Sequence, residues 1–298
     1  MYDRILVPTD GGEQALRAAE HGLYLAGEFD ATLHVLHVVD GRDVADGLDG
    51  EGSTTDRSDG LEARGRRAIA DVRSLAPEEA TVRTALRHGT PAEEILDYVD
   101  TSDIDLVTMG THGRTGVDRF VTGSVTEQVV RHAPVPVLTV RVTDQSDVTA
   151  GYDDVLVPTD GSDAATAAVE HGVAIAEETG AEVHALSVVE VGDMVVEAED
   201  APPEEAVADL EAEGERAAED VAARAKSVGL DVSVEVREGY PDDEILTFTE
   251  ENDVDCIVMG TTGRTGLSRY LLGSTTERVI RHAPVAVLAV NARDTEPR

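Results

Sequence analysis

Cysteine occurs once in the 298 residues, at Cys256, and lysine once, at Lys226. A single thiol excludes an intrachain disulfide framework and suits a reducing compartment. Its neighbours, Val254-Asp255-Cys256-Ile257-Val258-Met259, read as a buried strand, where a free Cys packs as a small hydrophobe. No segment approaches the ~20 apolar residues needed to cross a bilayer. The start, Met1-Tyr2-Asp3-Arg4-Ile5, enters a strand with no charged leader before a long apolar run. A cytoplasmic protein with no membrane partner is the expectation.

Positive charge is the next shortage. The chain carries 61 acidic and 24 basic residues, a formal net charge of -37. The first 150 residues hold 27 acids against 14 arginines, net -13, and the remainder 34 acids against 10 basic residues, net -24. A field of that sign repels DNA, RNA and anionic lipid, so no nucleic-acid partner is expected. Self-repulsion on this scale is best tolerated near molar salt, where the Debye length falls to about 3 Å. The excess reads as adaptation to a high-salt cytoplasm, as in a halophilic archaeon, or as an ordinary acidic surface kept soluble by its charge.

What the chain does have is itself, twice. Val7-Pro8-Thr9-Asp10-Gly11 returns 150 residues later as Val157-Pro158-Thr159-Asp160-Gly161. Met109-Gly110-Thr111-His112-Gly113-Arg114-Thr115-Gly116 returns as Met259-Gly260-Thr261-Thr262-Gly263-Arg264-Thr265-Gly266. A period of that length is the size of a self-sufficient domain rather than a solenoid unit. The expected organisation is a first domain over residues 1–143, a linker over 144–151 and a second domain over 152–298. With 41% hydrophobic residues, each half can bury its own core.

Short apolar or β-branched runs at 4–8, 32–39, 81–87, 104–109 and 135–140 alternate with helical patterns at 13–28, 59–75, 91–100 and 123–132. The first, fourth and fifth runs are continuous, as in parallel strands buried on both faces. Strand-helix alternation argues for an α/β domain with right-handed crossovers and helices on both faces of the sheet. The second half repeats the plan, with strands near 154–158, 182–189, 231–237, 254–259 and 285–290. Thr90-Pro91 predicts a helix start with Thr at the N-cap, Pro at the first helical position and Glu93 completing a capping box. Residues 41–58 and 191–201 read as loops, and the helix opened by Pro202-Pro203 is expected to run to Ser227 and end at Gly229.

In an open parallel sheet, ligands sit beyond the carboxyl ends of strands where the strand order reverses. The end of the first strand carries Thr9 and Asp10, and that of the fourth carries Gly110, followed by Gly113, Gly116 and Gly123. Glycines let main chain approach a ligand, and unpaired N–H groups at a helix start attract phosphate. Ser124 and Thr126 add hydroxyl donors there, or cap the helix. Asp10 and Asp160 can hold Mg²⁺ or a ribose hydroxyl, or cap the next helix. The loop has no G-x-x-x-x-G-K-[ST] pattern and no lysine beside it, so it is not a Walker motif.

Gly110-x2-Gly113-x9-Gly123-Ser124 with Pro8-Thr9-Asp10, and Gly260-x2-Gly263-x9-Gly273-Ser274 with Pro158-Thr159-Asp160, resemble the nucleotide-binding signature of the universal stress protein family. The resemblance spans both halves. It implies two Rossmann-like domains of the adenine nucleotide alpha hydrolase type, each a five-stranded parallel sheet of order 3-2-1-4-5, binding ATP or the related ADP or AMP. It further implies that main chain at Val38 and Val188 contacts adenine, and that Pro8, Thr9, Asp10 and their repeats line the adenosine side. Met109, Gly110, Thr111, His112 and Gly113 would cover ribose and phosphates, and Gly123, Ser124, Val125 and Thr126 would hold phosphates. In the second half those parts fall to Met259, Gly260, Thr261, Thr262 and Gly263, then Gly273, Ser274, Thr275 and Thr276. Family domains commonly dimerise through their last strands, so the halves are expected to form a pseudo-dimer within one chain, with a homodimer as an extension. A general base at His112 would be lost in the second half, where Thr262 stands.

His34 and His37 are three apart on a strand and point to opposite faces, so they cannot share one metal. His132 and His282 sit at helix ends, where the dipole favours them. No Cys/His cluster has zinc spacing. Three functions compete: a nucleotide-binding regulatory module, a slow Mg²⁺-dependent ATPase, and an interaction scaffold with vestigial sites. No catalytic residue is assigned.

Overall fold

The computed structural model describes residues 1–40, 54–111, 123–190, 204–263 and 272–292. Two units divide the chain, Met1–Val148 and Thr149–Arg298. The first runs β1 (Arg4–Pro8), α1 (Glu13–Glu28), β2 (Thr32–Asp40), α2 (Thr54–Leu75), β3 (Val82–Gly89), α3 (Pro91–Thr101), β4 (Leu106–Gly110), α4 (Ser124–His132) and β5 (Val137–Val140). The second runs β6 (Asp154–Pro158), α5 (Asp163–Thr179), β7 (Glu182–Val189), α6 (Glu204–Ser227), β8 (Val232–Glu238), α7 (Pro241–Glu251), β9 (Cys256–Gly260), α8 (Ser274–His282) and β10 (Ala286–Val290).

Within the first unit the strands lie in the order β3-β2-β1-β4-β5, all parallel. Within the second they lie β8-β7-β6-β9-β10, again all parallel. The central strand has helices on both sides, so its side chains alternate between two apolar layers. Ile5, Leu6, Val7, Leu106 and Val107 are completely buried, as are Val155, Leu156, Val157, Cys256 and Ile257. This is why those runs read as continuous rather than alternating. In the first unit α1 and α2 pack together on one face and α3 and α4 on the other. Register puts His34 between Leu6 on β1 and Arg83 on β3.

Three local expectations need adjustment. Helix α2 begins at Thr54, so the expected loop 41–58 yields its last five residues to the helix, because the polar run Thr54-Thr55-Asp56-Arg57-Ser58 offers no apolar period to read. Residues 41–53 and 191–203 lie outside the described residues. Thr90 does sit at the N-cap of α3 with Pro91 inside the first turn, yet its side chain makes no capping hydrogen bond. Finally, the stretch expected as a linker is partly docked: Ser146 is buried and its carbonyl lies 2.9 Å from His21 Nε2 on α1. Burial pushes the His21 imidazole down to about 4, against the opposing pull of that carbonyl.

Among the described residues no helix is long and apolar enough to cross a membrane.

Candidate functional site

The strand order reverses between β1, whose next strand β2 lies on one side, and β4 on the other, which opens a crevice beyond their carboxyl ends. Thr9 continues β1 by one bond, its N–H donating to the Leu36 carbonyl at 2.8 Å. There the chain turns away. The turn is held by two side chains that accept from main chain two residues on: Thr9 Oγ1 from the Gly11 N–H at 3.1 Å, and Asp10 Oδ1 from the Gly12 N–H at 2.8 Å. Gly11 has φ 77°, and a Cβ there would come within 3.1 Å of Ala68 Cβ on α2. Asp10 is therefore a turn former ahead of the helix; the N-cap itself is Gly12. The second unit repeats the turn, with Gly161 N–H to Thr159 Oγ1 at 3.2 Å and Ser162 N–H to Asp160 Oδ1 at 2.9 Å. Here Ser162 is the N-cap and accepts from the Ala165 N–H.

Because β1 stops, β2 runs on past it with one edge that is unpaired among the described residues. Thr32 N–H donates to Asp3 and the Leu36 carbonyl accepts from Thr9, so even-numbered residues of β2 turn their main-chain groups toward β1. Val38, two residues beyond Leu36, presents its N–H and C=O the same way, above the end of β1. Val188 repeats this, since Glu182 and Leu186 of β7 face β6. Below this edge His37 Nδ1 donates to the Thr9 carbonyl at 2.7 Å, with Gly65 of α2 packed against its ring. The second unit has Ser187 there, packed against Gly214.

The fourth strand supplies the other wall. A Cβ on Gly110 would lie 2.8 Å from the Gln14 main-chain carbon, and one on Gly260 2.7 Å from that of Ala164. These two glycines allow the close seating of the strand end on the first turn of α1 or α5. Thr126 and Thr276 differ from the hydroxyl role expected of them. Their Oγ1 atoms are buried and donate to the Gly110 and Gly260 carbonyls at 2.7 and 2.8 Å. What they offer outward is main chain. Gly123 and Gly273 are the N-caps of α4 and α8, without side-chain caps, and each N–H donates to the carbonyl of Thr111 or Thr261 at 2.7 or 2.8 Å. The first intrahelical bonds are Glu127 N–H to Gly123 and Glu277 N–H to Gly273, which leaves the amides of Ser124, Val125 and Thr126, and of Ser274, Thr275 and Thr276, as the donors of each first turn.

In the second unit the walls meet. A Cβ on Gly263 would fall 2.8 Å from Asp160 Oδ2, Ser162 Oγ lies 3.5 Å from the Thr262 carbonyl, and Gly273 is in contact distance of Thr262. His112 and Gly113, with the arginines at 114 and 264, lie outside the described residues. Pro8, Thr9, Met109, Thr111 and their repeats Pro158, Thr159, Met259 and Thr261 are buried and floor the crevice; Asp10 and Asp160 are partly exposed. Sequence reasoning missed the partners that steady this floor: Thr111 Oγ1 donates to Gln14 Oε1 at 3.2 Å, whereas Thr261 Oγ1 donates to Asn291 Oδ1 at 2.6 Å. Neither partner is repeated, so the duplication carried no signal for them. Among the described residues no group of three His, Cys, Asp or Glu side chains could hold a metal. A magnesium ion at Asp10 or Asp160 would take its remaining ligands from phosphate and water.

The family model described as "Universal stress protein family" matches residues 1–141 and again 151–291. This chain belongs to the universal stress protein family. A universal stress protein of Methanocaldococcus jannaschii is 43% identical over 142 residues, 47% of this chain and 83% of the relative. The crystal structure of a universal stress protein from Archaeoglobus fulgidus aligns over 97% of this chain and 96% of its own, with TM-score 0.67 and 26% identity. A universal stress protein solved in complex with cAMP aligns over 47% of this chain and 97% of its own at TM-score 0.35 and 21% identity, a likeness that carries nothing about the ligand here.

Proposed function

We propose that each universal stress protein unit of this chain holds an adenine nucleotide, ATP or the related ADP or AMP. The chain then acts in the stress response as a nucleotide-responsive regulatory module, the two units working as an intrachain pseudo-dimer. The observation that carries the reading is the pair of open main-chain edges at one end of each sheet. Val38 and Val188 offer an N–H and a C=O past the end of the central strand, a pattern suited to the donor-acceptor edge of a purine. The first-turn amides of α4 and α8 offer three converging donors to phosphate, helped by the helix dipole. Asp10 and Asp160, each with Oδ1 steadied by its turn, hold a ribose hydroxyl or a phosphate-bound Mg²⁺.

Binding rather than turnover follows from what stands beside the phosphates. No lysine lies in either unit's loop, and the one histidine of the first loop, His112, is Thr262 in the second. Calorimetric titration in molar KCl with Mg²⁺ tests the reading. Saturable binding with a stoichiometry of two per chain is expected, falling to one in Gly113→Val or Gly263→Val and to none in the double variant. Absence of saturation by ATP, ADP and AMP below millimolar overturns it.

A further inference from the structure

The opposite, amino end of the first sheet holds a second feature, independent of the nucleotide reading. A cavity of about 620 Å³ opens among residues that include Arg4, His34, Arg83, Tyr98, Ser102 and the carboxylate of Asp103. His34 is 3% exposed, and its ring stands edge-on to Tyr98, whose hydroxyl lies 2.9 Å from Nδ1. Its other nitrogen, Nε2, is buried with no hydrogen-bond partner. A buried polar atom left so is destabilising.

The repeat shows what belongs there. His184 stands where His34 does, and its Nε2 lies 2.7 Å from Asp154 Oδ1 while Nδ1 is taken by Ser233 Oγ at 2.7 Å. Asp154 is the counterpart of Arg4, Ser233 of Arg83, and Phe248 of Tyr98. In the first unit the carboxylate is gone and two guanidinium groups stand in its neighbourhood. Arg4 reaches away to Asp103, at 3.1 Å, and to the carbonyls of Ser102 and Asp103. Arg83 is exposed and makes no ion pair among the described residues. Burial, with Arg83 and Arg4 adding to it, pushes the His34 imidazole down, as expected of a positive pocket that lacks its anion.

We propose that the first unit binds a small oxyanion, a carboxylate or phosphate group, on His34 Nε2 between Arg4 and Arg83, in the place that Asp154 fills on His184 in the second unit. Tyr98 donates its hydroxyl to Nδ1, which leaves the proton on Nε2 for the ligand, and the planar arginine forks suit an oxyanion. The cavity has room for an organic acid larger than a bare ion.

Long-range proton-nitrogen NMR of the imidazole rings tests this in the full chain at fixed KCl, with potassium acetate and potassium phosphate titrated separately. Saturable movement of the His34 Nε2 signal, with His184 unmoved, is expected with at least one; the two arms tell a carboxylate occupant from a phosphate one. Arg83→Ser, an exposed change to the repeat's own residue, is expected to weaken the response about tenfold or more, the loss of one charge-assisted hydrogen bond. Arg4→Asp is expected to abolish it by seating an internal carboxylate on Nε2 and to give His34 a signal like that of His184. No saturable movement with either anion, or movement unchanged in Arg83→Ser, overturns the proposal, and neither result touches nucleotide binding at the other end of the sheet.

Discussion

The two units agree at one end of their sheets and disagree at the other. At the carboxyl ends the same main-chain scaffold recurs almost atom for atom. The Thr9 and Thr159 turns close at 3.1 and 3.2 Å, the Asp10 and Asp160 turns at 2.8 and 2.9 Å, and the Thr126 and Thr276 locks at 2.7 and 2.8 Å. At the amino ends only the frame survives: Asp105 and Asp255 each accept the two N–H groups that begin the central strand. Around the buried histidine, by contrast, Arg4, Arg83 and Tyr98 face Asp154, Ser233 and Phe248. The duplicated chain thus repeats its main-chain geometry at one end of the sheet and varies its side chains at the other.

The largest effect with which to break this comparison is expected at the strand ends. Gly110→Val and Gly260→Val force a side chain into helix backbone under 3 Å away, and each is expected to cost its own unit about 3 kcal/mol or more. Urea unfolding reads the total. The lone thiol reads the second unit alone, since Cys256 is completely buried and burial pushes its pKa up. Labelling of Cys256 should accelerate in Gly260→Val and stay at the wild-type rate in Gly110→Val; equal acceleration in both would show that the units do not unfold separately.

Acid provides the next test. Burial lowers His21 and His171 from 6.5 to about 4, with Ser146 and Glu170 respectively pulling the other way. Above pH 6.5 the imidazoles are neutral in both folded and unfolded chains, and the full stability is present. As pH falls from 6.5 toward 4 the unfolded chain takes up protons that the folded one refuses, so stability is lost, by about 3 kcal/mol per histidine. His21→Gln and His171→Gln should each remove a similar share of this slope between pH 6.5 and 4, with His34 adding to the remainder, measured by urea unfolding across that range. A slope left intact by both would mean that other groups govern it.

The smallest effect concerns the hydroxyl locks. Thr126→Val and Thr276→Val each remove one buried hydrogen bond and leave a glycine carbonyl short of a donor, at about 1–2 kcal/mol apiece. On the proposed reading the donors to phosphate are main-chain amides, so nucleotide affinity should change far less than in Gly263→Val. An equal loss of affinity would return the hydroxyls to the phosphates.

Much of the architecture was legible because fully buried parallel strands leave continuous apolar runs, as at Ile5-Leu6-Val7 and Cys256-Ile257-Val258. The first turn of α2 was not, since Thr54 to Ser58 show no apolar side. At the carboxyl ends the glycine and Asp positions were legible but not their individual duties. Whether Thr126 Oγ1 turns to a ligand or to the Gly110 carbonyl depends on how the strand end meets the helix, which spacing does not encode. The amino-end pocket was invisible for a different reason: Arg4, His34 and Arg83 become neighbours only through the register of three strands, and its clue is a difference between repeats rather than a likeness.

The seating of Gly110 on Gln14 leaves no slack between the end of β4 and the opening of α1. A shift of the β4 end would have to carry with it the 16 residues of α1, whose second half holds His21 against the Ser146 carbonyl.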